Sequence, residues 1–186
     1  MDDRLRKIKV FAMDVDGTLT DGAMTIHNGE QIKTFNVYDG LGIKLAIECG
    51  LHIAWITLNP SNTVADRAKG LGVEDVYQSI RVKSDALREL AEARGVSLEE
   101  IAYIGDDLND LPAFSVAGFK FAPANAVEEV KERADFVTCK PGGSGAVREA
   151  IEMILKARGQ WDDVVAGFLD NGGAGLASKV GPEIVM

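Results

Sequence analysis

Cysteine and histidine are scarce in this sequence, with two of each in 186 residues. Cys49 and Cys139 lie far apart with no CxxC partner, which excludes a disulfide framework and suits a reduced, cytoplasmic setting. His27 and His52 are too few for a Cys/His zinc site. Any metal should therefore be a hard ion held by carboxylates. Long apolar runs are missing too: the stretch 51–57 is far too short to cross a bilayer. No basic start followed by a long apolar core marks a signal peptide, so a protein with no membrane partner is expected. Positive charge is in deficit, 20 Lys and Arg against 29 Asp and Glu, for a net charge of −9. That field repels a phosphate backbone and argues against a nucleic-acid partner. What remains is ordinary for a globular chain, 46% hydrophobic and 26% charged. The length suits one compact domain that buries its own core.

Apolar segments alternate with amphipathic ones. Residues 8–13, 51–56, 74–77, 101–104, 118–121 and 135–137 read as strands. Residues 40–49, 62–70, 84–94, 108–116, 127–133 and 145–158 read as helices between or after them. Ser97-Leu98-Glu99-Glu100 has the spacing of a capping box and starts a short helical turn. The alternation predicts an α/β fold, a Rossmann-like parallel sheet covered by helices on both faces. Such sheets bind ligands at the carboxyl ends of their strands, where the acidic residues of this chain fall.

One stretch breaks the rhythm. Residues 23–36 read as a β-hairpin, with Met24, Ile26, Ile32 and Phe35 as apolar positions and His27-Asn28-Gly29-Glu30 as the turn. It follows the first acidic motif directly, so it is either a flap beside the site or an ordinary edge hairpin. The main domain should span 1–159 and a C-terminal tail 160–186. Residues 161–169 suggest one more short helix; the glycine-rich remainder is either a disordered terminus or a segment ordered by a neighbouring subunit.

Four elements carry chemistry. Asp14-Val15-Asp16-Gly17-Thr18-Leu19-Thr20 follows the first strand, and its two carboxylates can face one pocket, one as nucleophile and one as proton carrier. Thr57 ends the next strong strand, where a hydroxyl and nearby N–H groups suit a phosphoryl oxygen. Lys83 precedes a helix and can pin a carboxylate and offset phosphate charge. Gly105-Asp106-Asp107-Leu108-Asn109-Asp110 is rich in oxygen ligands for Mg²⁺, or else caps a helix.

Taken in this order, DxDGT, Thr, Lys and GDDxxD resemble the haloacid dehalogenase-like phosphohydrolase superfamily, over residues 8–137. The resemblance implies that Asp14 is the nucleophile and Asp16 the general acid and base. It implies that Thr57 binds the phosphoryl group, with Thr18 beside it, and that Lys83 stabilises Asp14. Asp106 is then the Mg²⁺ ligand, joined by Asp14 and the backbone carbonyl of Asp16, with Asp107 and Asp110 supporting the metal and Lys83. An aspartate at the second position favours a phosphatase over a dehalogenase, whose leaving halide needs no proton. The stretches from Asp16 to Thr57 and from Thr57 to Lys83 are too short for a cap domain. A capless member accepts a large substrate or borrows a lid from another subunit.

A narrower resemblance covers residues 7–159. Phe35-Asn36-Val37-Tyr38-Asp39-Gly40-Leu41-Gly42-Ile43-Lys44, Ala102-Tyr103-Ile104-Gly105-Asp106-Asp107 and Pro141-Gly142-Gly143-Ser144-Gly145-Ala146-Val147-Arg148-Glu149 are similar to segments of the 3-deoxy-D-manno-octulosonate 8-phosphate (KDO 8-phosphate) phosphatases and of relatives acting on nine-carbon sialic-acid-type 9-phosphates. That implies a sugar-phosphate substrate, a homotetramer whose hairpins form a central barrel, and a place in bacterial surface-glycan synthesis such as lipopolysaccharide. Asp39 and Gly40 then touch substrate from the subunit interface or cap a helix. One departure stands out: the family reads Thr-Gly-Arg where this chain has Thr57-Leu58-Asn59. The loop loses a bidentate partner for a carboxylate, which Arg67 or Arg148 is placed to replace. Two rivals remain. A receiver-type phosphoacceptor module orders its acidic motifs differently and has no use for Asp16. An inactive relative has no use for an intact acidic set.

Overall fold

The computed structural model describes residues 2–27 and 30–170. Eight strands run in chain order: β1 (Val10–Met13), β2 (Thr25–His27), β3 (Glu30–Ile32), β4 (His52–Ile56), β5 (Asp75–Tyr77), β6 (Ile101–Ile104), β7 (Phe119–Ala122) and β8 (Phe136–Val137). Six form one parallel sheet in the order β5-β4-β1-β6-β7-β8. The helices are α1 (Val37–Glu48), α2 (Asn62–Leu71), α3 (Lys83–Arg94), α4 (Leu111–Phe114), α5 (Glu128–Lys131), α6 (Ala146–Ala157) and α7 (Trp161–Asp170).

Strand β1 is buried along its whole length because it has a neighbour on each side and helices on each face. Phe11 and Met13 join Ile43, Val64, Ala68, Ile151 and Leu155 in the layer under α1, α2 and α6. Val10 and Ala12 join Leu87, Leu90, Phe114 and Val130 under α3, α4 and α5. This period-2 division of one strand between two cores is what a doubly covered sheet requires. Asp14 and Asp16 lie just past the end of β1, the central strand, flanked by the ends of β4 and β6.

Two helices and one added turn differ most from expectation. Helix α1 starts at Val37 rather than at residue 40, because the Asn36 side chain accepts the Tyr38 N–H and caps it a turn earlier. The expected helix 108–116 is a 3₁₀ turn, Leu108–Asp110, followed by the single turn of α4, because Asp107 and Asp110 form a capping box there. A 3₁₀ turn at Asp3–Lys7, capped by Asp2 and anchored by buried Leu5, was not foreseen. The capping box at Ser97 is present as expected.

No cap domain lies among the described residues; the insertion after β1 is the two-stranded hairpin β2–β3, with His27 opposite Glu30. Its turn residues Asn28 and Gly29 lie outside the described residues, as does the expected glycine-rich end of the tail, 171–186. Residues 161–170 are the expected helix, and α7 packs on α6: Val164 is buried and the Trp161 ring takes the cations of Arg148 and Lys156. No described helix is long and apolar enough to cross a membrane.

Candidate active site

The chain leaves β1 through a tight turn. Leu19 and Thr20 both return their N–H to the Val15 carbonyl, and the Thr20 hydroxyl accepts from the N–H of Gly17. Gly17 takes φ +92°, and a Cβ there would lie 2.0 Å from an Asp106 oxygen, so only glycine lets the turn approach that carboxylate. A second glycine closes the turn from behind: a Cβ on Gly142 would lie 1.8 Å from the Gly17 carbonyl. Asn125 ties the two loops, donating to the Gly17 carbonyl and accepting from Gly142 N–H.

Inside this turn the charges are buried and paired. The Lys83 Nζ donates to Asp14 Oδ1 at 2.5 Å and to Asp110 Oδ1 at 2.6 Å. Burial alone would pull the Lys83 ammonium down, but Asp14 and Asp110 outweigh it and hold it above its ordinary value. Asp110 is fully committed: Oδ1 also accepts from the Tyr103 hydroxyl at 2.7 Å, and Oδ2 from the N–H groups of Asp106 and Asp107. Thr18 donates its hydroxyl to Asp106 Oδ1 at 3.0 Å. Burial, then the Asp110 charge, push the Asp14 carboxyl up to about 8 and the Asp106 carboxyl up to about 7.

Those shifts report uncancelled negative charge. Asp14, Asp106 and Asp110 offer oxygens within 4.8 Å of one another and face one ammonium. Three carboxylates against one cation leave two charges, the number a divalent ion neutralises. Asp110 has no oxygen to spare, so Asp14 and Asp106 are the side chains that fit as ligands of a hard cation. The Asp16 carbonyl accepts no hydrogen bond among the described residues and sits in the same turn.

The structure thus brings Asp14, Asp16, Lys83 and Asp106 together, and it reassigns others. Asp107, expected to act on the metal and Lys83, is exposed and caps its own turn through Leu108 N–H; Asp110 is the carboxylate on Lys83. Thr18, expected to touch substrate, is fully buried and orients Asp106 instead. Asp39 is buried and accepts from the N–H groups of Gly145 and Arg148, so its carboxylate caps α6. Gly40 is the point where α2 crosses α1: a Cβ there would meet Arg67 Nη2 at 2.4 Å. Arg148 is committed to Glu152 and Trp161 and does not replace the missing loop arginine. Arg67 packs over Gly40, and its buried Nε has no partner among the described residues. Thr57 is buried, and its hydroxyl accepts from Asn59 N–H; Leu58 is exposed; Asn59 Nδ2 reaches Asp16 Oδ2 at 3.4 Å.

Four contributors escaped the sequence reading: Tyr103, Thr20, Asn125 and Lys33. Lys33, on the hairpin, forms an ion pair with Asp16 Oδ1. Its signal was present, since Lys33 is in phase with inward-facing Phe35. Nothing local marks the other three.

Residues 63–151 match the family model for haloacid dehalogenase-like hydrolases. The KDO 8-phosphate phosphatase KdsC of Haemophilus influenzae is 41% identical over 172 residues, covering 91% of this chain and 96% of that protein. This chain belongs to the haloacid dehalogenase-like hydrolase family. Its similarity within the family runs to the KDO 8-phosphate phosphatases. The Moraxella catarrhalis KDO 8-phosphate phosphatase, solved with magnesium, phosphate and KDO, superposes with a TM-score of 0.87 at 43% identity, over 89% of this chain and 95% of that one. The cobalt-bound Haemophilus influenzae enzyme superposes at 0.86 and 41% identity, over 89% and 99%. At this end of the sheet Asp14 pairs with Lys83, and Asp16 lies two residues on in the same turn.

Proposed function

We propose that this chain is a Mg²⁺-dependent phosphomonoester hydrolase whose substrate is KDO 8-phosphate. The observation that carries it is the pairing of Asp14 with buried Lys83 beside Asp106, in a chain about 40% identical to KDO 8-phosphate phosphatases across most of its length. Lys83 holds Oδ1 of Asp14, which directs the other oxygen toward phosphorus. Attack forms the Asp14 oxygen–phosphorus bond and breaks the ester bond. Asp16 gives the leaving sugar oxygen its proton. Asp16 then takes a proton from water, which attacks phosphorus, releases inorganic phosphate and restores Asp14. Mg²⁺, held by Asp14, Asp106 and the Asp16 carbonyl, supplies charge neutralisation for the phosphoryl oxygens. Lys83 adds a second fixed positive charge, and Asp110 with Tyr103 keeps it in place.

The same reading covers assembly and setting. Met24, Ile26 and Ile32 on the hairpin are exposed, at 61%, 64% and 50%. Apolar side chains of that size on one small hairpin suit a face covered by other subunits; the homotetramer itself is what the resemblance to the KDO 8-phosphate phosphatases implies, and we propose it on that ground. Two free cysteines suit a reduced, cytoplasmic protein that feeds a surface-glycan precursor such as that of lipopolysaccharide.

A second substrate reading rests on the Thr57-Leu58-Asn59 loop, which lacks the arginine expected there. A nine-carbon sialic-acid-type 9-phosphate places its carboxylate differently and is the alternative. The test is phosphate release from both sugar acids and an aryl phosphate, with and without Mg²⁺. Metal-dependent preference for the eight-carbon ester is the expected result. A preference for the nine-carbon ester transfers the assignment, and no metal-dependent release from any ester refutes the phosphatase reading.

A further inference from the structure

The segment following β2 inverts the usual order of inside and outside. From Gln31 to Phe35, the odd residues turn inward and the even ones outward. That leaves Ile32 half exposed while the Lys33 side chain is only 6% exposed. An extended segment with an apolar residue out and a lysine in is not built to complete a core. The inward lysine ends on a carboxylate that is itself one-third exposed, Asp16.

Asp16 has no other strong support. Among the described residues its carboxylate meets Lys33 at Oδ1 and the Asn59 amide at Oδ2, the latter at 3.4 Å, and no backbone N–H. Asp14 is held quite differently, in a buried pair with Lys83. Lys33 in turn is well anchored. Two residues on, Phe35 stacks on Trp55 of β4 with centroids 5.9 Å apart, and Asn36 caps α1 while donating to the Gly143 carbonyl.

We propose that Lys33 is a positioning residue, the hairpin's means of holding Asp16 aimed at the leaving-group oxygen. Lys33 occupies Oδ1 and leaves Oδ2 to exchange the proton. The site would then use two lysines in parallel, Lys83 for the attacking carboxylate and Lys33 for the proton-carrying one. The inference rests on the phosphatase reading and adds a residue to it. It also gives the hairpin a task within its own subunit, separate from any covered outer face. Misplacing a proton donor by about 1 Å costs on the order of 100-fold, so the effect is measurable.

The test exploits the leaving group. A sugar alkoxide needs the proton from Asp16, whereas a nitrophenolate leaves without one. The Mg²⁺-loaded wild type, Lys33→Met and Lys33→Arg would be compared by kcat/KM, which reports the first transfer to Asp14. On KDO 8-phosphate, Lys33→Met should fall about 10- to 100-fold. On nitrophenyl phosphate it should stay within about twofold of wild type. Lys33→Arg keeps the charge and should recover part of the loss on the sugar ester alone. Should Lys33→Met not fold, Lys33→Arg carries the test through the same split, in smaller measure. Equal losses on both esters overturn the inference, because Lys33 would then serve the phosphoryl group or the fold. No loss on either overturns it as well. A wild type inert on both esters overturns the phosphatase reading and the inference with it, whereas an active wild type without the split in its variants overturns the inference alone.

Discussion

Two regions a few residues apart in sequence handle polarity in opposite ways. At the end of β1 the chain buries charge: Asp14, Lys83, Asp110 and the Tyr103 hydroxyl are nearly inaccessible and satisfy one another. In the hairpin it leaves Met24, Ile26 and Ile32 exposed and turns Lys33 inward. The first arrangement stands on side chains of the main domain: Asp14 and Asp110 share the Lys83 ammonium, and the negative charge left over suits a divalent cation. The second leaves apolar area in water, and it is on that exposure that the proposed assembly draws. The buried centre is thus preorganised for chemistry by the domain alone, while the hairpin connects that chemistry to its surroundings.

The comparison can be broken at several points. Asp14→Asn should lower turnover by on the order of 10⁴-fold or more while circular dichroism shows the fold retained. Near-normal turnover would remove Asp14 from the role of nucleophile. Lys83→Met leaves Asp14 and Asp110 buried without a cation. It should cost about 3–5 kcal/mol in denaturant unfolding, together with activity.

Metal removal sharpens the same contrast through pH. Without a cation, Asp14 sits at about 8 and Asp106 at about 7, both above the ordinary 3.8. The folded chain then holds protons that the unfolded chain has shed. The stability from these two groups is full below 3.8 and is lost as pH rises through 7 to 8. Mg²⁺ takes the place of those protons. The rise in melting temperature on adding Mg²⁺ should therefore grow from pH 5 to pH 8, toward the equivalent of about 2.7 kcal/mol at 100 times Kd. A rise that is constant with pH would contradict the assignment of Asp14 and Asp106 as ligands.

At the hairpin, Ile26→Lys should weaken assembly by about 1.5–3 kcal/mol per subunit. Sedimentation would detect it as dissociation into smaller species, and an unchanged profile would mean that the apolar face is not covered. The smallest effect is expected at Asp39→Asn, which keeps a capping oxygen for Gly145 and Arg148 N–H. It should cost at most about 1 kcal/mol and leave kcat intact. A large loss of kcat would return Asp39 to the site.

Much of this was legible in the chain itself. The strands betray themselves as apolar runs, and each acidic motif follows one directly, so Asp14, Asp16, Lys83 and Asp106 could be named before any coordinate. Asp107 and Asp110 could not be told apart, because both suit a helix start and both suit a metal. Only the packing of α3 shows which of them Lys83 reaches. Asp39, expected as a substrate contact or a helix cap, caps α6, and Thr18 is taken up by the Asp106 carboxylate, because a polar group near a site is often consumed by a neighbour. The apolar pattern of the hairpin does not point to Lys33, because Met24, Ile26 and Ile32 face outward and of its apolar positions Phe35 alone turns in beside Lys33.

The sequence by itself determined the order of elements, the absence of an inserted cap and the residue types of the centre. Local patterning encodes these, through period-2 burial, turn-forming glycines and helix caps. Tertiary structure alone decided which carboxylate meets which lysine, how many oxygens remain for a cation, and that Gly142 and Asn125 brace the catalytic turn from more than a hundred residues away. Those outcomes depend on distances between segments remote in the chain. They are set by how the two helical layers close on the sheet, and no local pattern records them.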